Sequence, residues 1–592
     1  MCGIFALLNN NGTVQYNCVE QAFITGQRRG PEESILKEIS TNVIFGFHRL
    51  SINGLGVESG QPMTIGGITL ICNGEIFNFK ELFSNIKIVP KTSSDCEIII
   101  HLYKLYGIEQ TLRLLDGEFA FILYDNSDNT KTPLIHAARD PFGVRPLYYM
   151  DSIGHNKEQC NATVNALATP IIAFSSELKC LSPLVRTSND SQVEYKIKQF
   201  IPGSFTTYEL QHHQWKTKTN NKKYHSLNCS TNIFSRYIDS ELYGDICFHL
   251  NKAVEKRVVG TTERPVACLL SGGLDSSLIT ALVNRYYKGQ LETYSIGMEG
   301  SEDLRNARKV AEHLKTKHTE IILTKDDFFN AIPEVINAIE SYDTTTVRAS
   351  VGNYLIGKYI SEHSDAKVIF NGDGSDELTG GYIYFLAAPD DIEFDNECRR
   401  LLSDIYAFDV LRSDKSISTN GLEPRTPFLD REWVQFYLNI PVSLRNPLNN
   451  SNNNKVEKYL LRKAFSEIEP GLIPNEILWR TKEAFSDGVS GNEGSWFEII
   501  NSKINELFNC YDGPPIIKHD NINVPTTNEQ KYYRDIYDKL YPNTADIVPY
   551  FWMPKYVNAQ DCSARTISFY NKSKVETDIT RQIGSRKLTS NM

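Results

Sequence analysis

Short apolar runs punctuated by glycine and asparagine dominate the chain from residue 1 to about 205. Examples are NVIFGFHRLSI from Asn42, GGITLICNGEI from Gly66, GEFAFILYD from Gly117, RPLYYM from Arg145 and IIAFSSEL from Ile171. Runs of this length and spacing predict a sheet-rich α+β domain, with a few helices such as SDCEIIIHLYKLYG from Ser94. The polar, aperiodic stretch from Gln211 to Asn232 predicts a linker. From Glu241 the rhythm changes. Strands are predicted at Val266–Leu270, Glu292–Met298, Thr319–Leu323 and Lys367–Phe370, with amphipathic helical stretches between them. Such βα alternation predicts a doubly wound parallel sheet. The pattern divides the chain into a first domain over 1–210, a linker over 211–240, a second domain over 241–572 and a disordered tail over 573–592.

At 592 residues the chain exceeds what one hydrophobic core supports, which agrees with two domains. Its 41% apolar and 23% charged residues are those of an ordinary globular protein. A formal charge of −10, with no basic stripe, argues against nucleic acid as a partner. No stretch approaches a membrane span, and the short apolar run Ile4–Leu8 lacks the basic segment of a signal peptide, so a cytoplasmic location is expected. Twelve scattered cysteines with no C-x-x-C pair predict neither a zinc site nor a disulfide framework.

The strongest local motif is LLSGGLDSS, Leu269–Ser277, between a predicted strand and helix. Its glycines allow a tight turn in which backbone N–H groups and a helix N-terminus face an anion. Ser271, Ser276 and Ser277 add hydroxyls, and Asp275 can hold a Mg²⁺ that bridges phosphates. No G-x-x-x-x-G-K-[ST] occurs, which excludes a Walker-type P-loop. A second loop, FNGDGSDELTGGY from Phe370, again follows a strand and carries Asp373, Asp376 and Glu377.

The amino terminus, MCGIFALL, places Cys2 directly behind the initiator. Removal of Met1 leaves one residue with both a thiol and an α-amine of pKa near 8, which can serve as its base. CNGEI, Cys72–Ile76, offers the Asn73 carboxamide and the Gly74 N–H to a tetrahedral oxyanion. Arg49 suits the α-carboxylate of glutamine, and Glu75 and Asp95 suit its α-ammonium.

Together these motifs resemble the glutamine-hydrolysing asparagine synthetases of the B type. The resemblance runs nearly the whole length, through RGPE at Arg29, DGEFAF, RDPFGVRPLYY, GSDE, PRTPFLD at Arg425, KEAFSDGV at Lys482 and VPYFWMPKYVNAQDCSART. It implies a four-layer αββα sandwich of the N-terminal-nucleophile hydrolases, followed by an α/β domain of the ATP-pyrophosphatase type. It implies Cys2 as nucleophile, with Arg49, Leu50, Ser51, Ile52, Asn53, Asn73, Gly74, Glu75 and Asp95 around glutamine. ATP falls to Leu269, Ser271, Gly272, Gly273, Leu274, Asp275, Ser276, Ile296, Asn371 and Gly372, and Mg²⁺ to Asp275 and Asp376. Aspartate falls to Thr345, Thr346 and Arg348, Lys482 acts in adenylate formation, and Asp373 acts either in adenylate formation or in deprotonating the incoming ammonia. A homodimer is also implied. The family pattern SGEGSDE reads NGDGSDE here, so Asn371 replaces a serine and Asp373 a glutamate. Synthetases of the β-lactam-forming kind share the adenylation loop and lack a working glutaminase, whereas this chain keeps Cys2, Arg49, Asn73, Gly74 and Asp95 together.

Overall fold

The computed structural model describes residues 1–153, 170–187, 193–227, 231–232, 238–260, 262–449, 455–481, 488–490, 494–509 and 521–563. The tail over 573–592, the HNKEQCNATVNAL segment over 155–167 and Lys482 lie outside the described residues.

The first half carries β1 (Gly3–Leu8), β2 (Glu33–Ser40), β3 (Val43–Arg49), β4 (Met63–Ile65), β5 (Ile68–Ile76), β6 (Gly117–Asp125), β7 (Leu134–Arg139), β8 (Tyr148–Ile153), β9 (Ile172–Ser175), β10 (Glu194–Gln199), β11 (Ser204–Gln211) and β12 (Gln214–Lys223). They form two antiparallel sheets, ordered β10-β8-β9-β1-β3-β2 and β12-β11-β7-β6-β5-β4. The pleat explains the layers. In β1, Ile4, Ala6 and Leu8 pack between the sheets, while Phe5 and Leu7 face the helices Tyr16–Ile24 and Leu178–Thr187. In β5, Ile71 points between the sheets, and Leu70 and Cys72 face the helices Phe79–Ile86 and Glu97–Leu114. Strands buried on both faces need apolar residues at every position, which accounts for the unbroken IFALL run. The product is a helix–sheet–sheet–helix sandwich.

Strand β12 corrects the reading of 211–223 as linker. It pairs with β11 at the edge of the second sheet. Only Trp215 among its residues is deeply buried, and lysines face outward, so an exposed edge strand carries little apolar signal.

The second half holds β13 (Val266–Leu269), β14 (Glu292–Gly297), β15 (Lys317–Ile322), β16 (Val368–Phe370) and β17 (Glu423–Arg425). All are parallel, in the order β15-β14-β13-β16-β17. Val266, Cys268, Val368 and Phe370 face the side holding the helices Asp239–Val258, Leu274–Tyr286 and Glu302–Leu314. Ala267 and Ile369 face the side holding Ile332–Ile339 and Thr344–His363. The strand order reverses between β13 and β16, where open α/β sheets hold their ligands.

The halves meet over a buried charge network. Arg29 reaches Glu177 at 2.9 Å and Asp414 at 2.7 Å, Arg145 joins Glu118 at 2.9 Å to Asp414 at 3.2 Å, and Arg257 joins Glu118 to Asp430. The Met1 amine, itself buried, donates to the Leu422 carbonyl at 3.2 Å.

Candidate functional site

Two sites emerge, one in each half. Cys2 opens β1, and its Sγ approaches the Leu50 carbonyl at 3.5 Å. Its carbonyl accepts from Arg29 Nε at 3.0 Å, which fixes the backbone of the nucleophile. Burial pushes the thiol up to about 12 and the Met1 amine down to about 5. Both shifts have one cause, burial that disfavours the charged form of each group, so the thiol needs a base to react.

Strand β5 lies across from β1, where Asn73 shares Ser176 Oγ with the Ile4 N–H and Glu75 lies within electrostatic reach of Cys2. Asn73 is fully buried; its amide nitrogen lies 3.5 Å from Ser176 Oγ, and its Oδ1 accepts no hydrogen bond. Gly74 is required by close packing, because a Cβ there would sit 2.3 Å from the Glu118 carbonyl oxygen. Glu75 accepts from Asn53 Nδ2 at 2.6 Å and faces Arg425 at 3.7 Å. Asp95 accepts from the Ile76 N–H at 2.6 Å. Burial, reinforced by the neighbouring Asp95, holds Glu75 well above the usual carboxylate range, and burial lifts Asp95 to about 6. Two buried acids side by side without a full complement of cations suit a cationic ligand group. Arg49 donates to the Gly54 and Gly56 carbonyls at 2.8 and 2.7 Å and faces Glu33 at 3.6 Å, so it also shapes the loop that follows it.

The second site is a cavity at the sheet's switch point. It is lined by Leu269, Ser271, Gly273, Leu274, Asp275 and Ser276 after β13, by Ile296 on β14, and by Asn371, Gly372, Asp373 and Asp376 after β16. Gly272 has φ +70°, and a Cβ there would meet the Ala307 nitrogen at 2.4 Å, so the turn admits only glycine. Ser271 and Ser276 hydroxyls lie 3.0 Å apart, and helix Leu274–Tyr286 starts at the loop. This is an anion cradle.

Charged side chains that the motifs did not indicate complete the cavity. Lys458 is buried and bridges Asp275 and Asp376 at 2.6 Å each, and donates to Ser375 Oγ at 3.1 Å. Arg480 donates to the Gly272 carbonyl at 3.2 Å and pairs with Asp303 at 3.1 Å. Arg412 reaches Asp373 at 3.1 Å and also pairs with Asp409, which burial lifts to about 6. The departures from the family pattern fit locally: Asn371 donates to Ser413 Oγ at 2.8 Å and accepts the Asp373 N–H at 3.2 Å. Asp275 and Asp376 both line the cavity and converge on one ammonium, a geometry in which a divalent cation with phosphate ligands fits their carboxylates.

Thr345, Thr346 and Arg348 are not brought to this cavity, although Ala349, Asn353 and Ile356 of the same helix line it. Arg348 is committed to Glu529 and Asp561 through bonds of 2.5 to 2.9 Å. Thr346 Oγ1 bonds to Asp343, which caps the helix, and Thr345 lies against the Cys562 thiol.

The glutamine amidotransferase domain family matches residues 1–225, and the asparagine synthase family matches residues 248–391 and 387–560. The chain is 38% identical to asparagine synthetase [glutamine-hydrolyzing] of Pongo abelii, over 97% of this chain and 100% of the relative. It belongs to the glutamine-hydrolysing asparagine synthetases. The same family relation holds with the Gallus gallus enzyme at 38% and the Homo sapiens enzyme at 37%, each over 97% of this chain and 100% of the relative. Family membership accounts for both sites in one chain, and the first family match ends two residues beyond β12, which keeps that strand with the amidotransferase half. No helix among the described residues is long and apolar enough to cross a membrane.

Proposed function

We propose that this chain makes asparagine from aspartate and ATP with glutamine as the nitrogen donor. Full-length family membership carries the reading, and the two sites support it as its working parts. Once Met1 is removed, the Cys2 amine takes the proton of the Cys2 thiol, and the thiolate attacks the glutamine amide carbon. Asn73 and the Gly74 N–H take the oxyanion, Arg49 holds the α-carboxylate, and Glu75 and Asp95 hold the α-ammonium. Collapse expels ammonia and leaves a thioester, which water hydrolyses to glutamate.

In the second half the β-carboxylate oxygen of aspartate attacks the α-phosphorus of ATP, giving β-aspartyl-AMP and pyrophosphate. The Ser271–Ser276 loop cradles the phosphates, with Leu269 and Ile296 beside the nucleoside. Asp275 and Asp376 would hold Mg²⁺, which neutralises phosphate charge when bound. Ammonia then attacks the activated carbonyl and AMP leaves. Thr345, Thr346 and Arg348 belong to aspartate recognition in this reading, which requires Arg348 to exchange part of its pairing with Glu529 and Asp561. Lys482 assists adenylation.

The test uses amide-¹⁵N glutamine, aspartate and Mg-ATP with the unsubstituted chain and Cys2→Ala. Labelled asparagine, AMP and pyrophosphate are expected. Cys2→Ala should lose glutamine use entirely and retain synthesis with added ammonium. Glutamate without asparagine would mean that the acceptor is not aspartate or that Asp373 has disabled adenylation, and Asp373→Glu separates the two.

A further inference from the structure

Three hydrogen bonds join two adjacent residues of the synthetase half to the loop after β3, and a fourth joins them to Glu32. The Gly54 N–H donates to Glu263 Oε1 at 3.0 Å, and the Glu263 N–H donates to the Ile52 carbonyl at 3.0 Å. Arg264 Nε donates to the Ser51 carbonyl at 2.9 Å, while its Nη2 donates to Glu32 at 2.7 Å. Glu32 in turn accepts the Ser51 N–H at 2.8 Å. The side chains of Leu50 and Ile52 are buried in the core of the synthetase half, beside Val258 and Val266. Ser51, Ile52 and Gly54 are thus held from the far side of the domain boundary. Asn53, between them, presents its amide to Glu75 at 2.6 Å.

Residues 50–53 form a stretch of the glutamine pocket with no regular structure of its own. A loop is set by whatever bonds its backbone; Arg49 and Glu32 hold this one from within the first half, and Glu263 and Arg264 hold it from the second. We propose that Glu263 and Arg264 are positioning residues of the glutamine pocket, supplied by the synthetase half. They fix the backbone that surrounds the glutamine α-carbon and, through Asn53, the orientation of Glu75. The same pair stands directly before Pro265 and β13, whose far end is the phosphate loop, so one short segment touches both sites. The assignment rests on the reading of residues 50–53 as glutamine contacts given above.

The test is steady-state glutamate release by Arg264→Ala and Glu263→Gln in the full chain. Because the affected groups bind glutamine and do not react, KM for glutamine should rise about tenfold, as expected for losing one or two ordinary hydrogen bonds, with kcat unchanged. Arg264→Lys keeps the charge toward Glu32 and loses the planar fork, so its KM should fall between the two. Ammonia-dependent AMP formation and its KM for ATP should not move. An unchanged glutamine KM in both alanine and glutamine variants overturns the assignment. So does a parallel loss of Tm and of both activities, which would mean a purely structural role. If Cys2→Ala abolishes glutamate release and Arg264→Ala leaves KM alone, the pocket reading stands and this assignment falls. If the unsubstituted chain releases no glutamate, both fall.

Discussion

Asp95 shows how a single side chain carries a pH response. Burial lifts it to about 6, above the ordinary aspartic value of about 3.9. Its role toward an ammonium group needs the ionised form, which is lost as pH falls through about 6. The glutamine KM should therefore climb below pH 6, and Asp95→Asn should raise it at pH 8, as read from kcat/KM profiles. Lys458 supplies the opposite charge. Its ammonium bridges Asp275 and Asp376 inside the cavity, so Lys458→Met leaves the two carboxylates without that cation. Ammonia-dependent synthesis should drop by about 10² or more, and the ATP KM should rise. Cys2 and Asp275 were legible because short motifs surround them, whereas Lys458 lies 183 positions from Asp275 and meets it only in the folded chain. The amphipathic helical pattern around Lys458 reads as an ordinary surface stretch, and nothing local marks its burial.

Strand, loop and helix around Ser271 were readable for a physical reason. A strand buried on both faces, a glycine pair and an N-terminal helical turn each impose residue types within nine positions. Gly272→Ala tests that element directly. The substitution combines a φ of +70° with a Cβ 2.4 Å from backbone, so the loop must shift. Synthesis from either nitrogen source should fall by about 10² while glutamate release is spared, since geometry at the ångström scale governs phosphoryl positioning. Strand β12 went unread because its partner, β11, supplies the order and its own side chains mostly meet solvent. Arg348 shows a different limit. Its motif was visible, but its ion pairs come from Glu529 and Asp561, more than 180 positions away.

At the scale of the molecule, the halves are joined by charges that have left water. Against its burial, Lys179, Lys415 and Arg29 hold Glu177 well below the usual carboxylate range. Such a group stabilises the fold above its unfolded pKa of about 4.3, and that contribution disappears as pH falls through the acid range. Glu177→Gln should lower Tm at pH 7, because Arg29 and Lys415 lose a buried partner, at a cost of about 3 kcal/mol. Its Tm should also decline less than that of the unsubstituted chain between pH 5 and pH 3, which calorimetry at matched ionic strength would measure. Several members lie in motifs quoted above, Arg29 in RGPE, Glu118 in DGEFAF, Arg145 in RDPFGVRPLYY and Asp430 in PRTPFLD, but those stretches are far apart and their pairing arises only where the halves meet.

The amine of Met1 is sealed beneath Leu422, which gives biogenesis a clock. An aminopeptidase needs an accessible terminus, and in the folded chain this one is buried against the second half. At about 5–20 residues per second, the ribosome takes tens of seconds to reach that leucine. Excision of Met1, on which the proposed nucleophile depends, belongs to that interval. A chain that completes folding with Met1 in place keeps its nucleophile masked for as long as it stays folded.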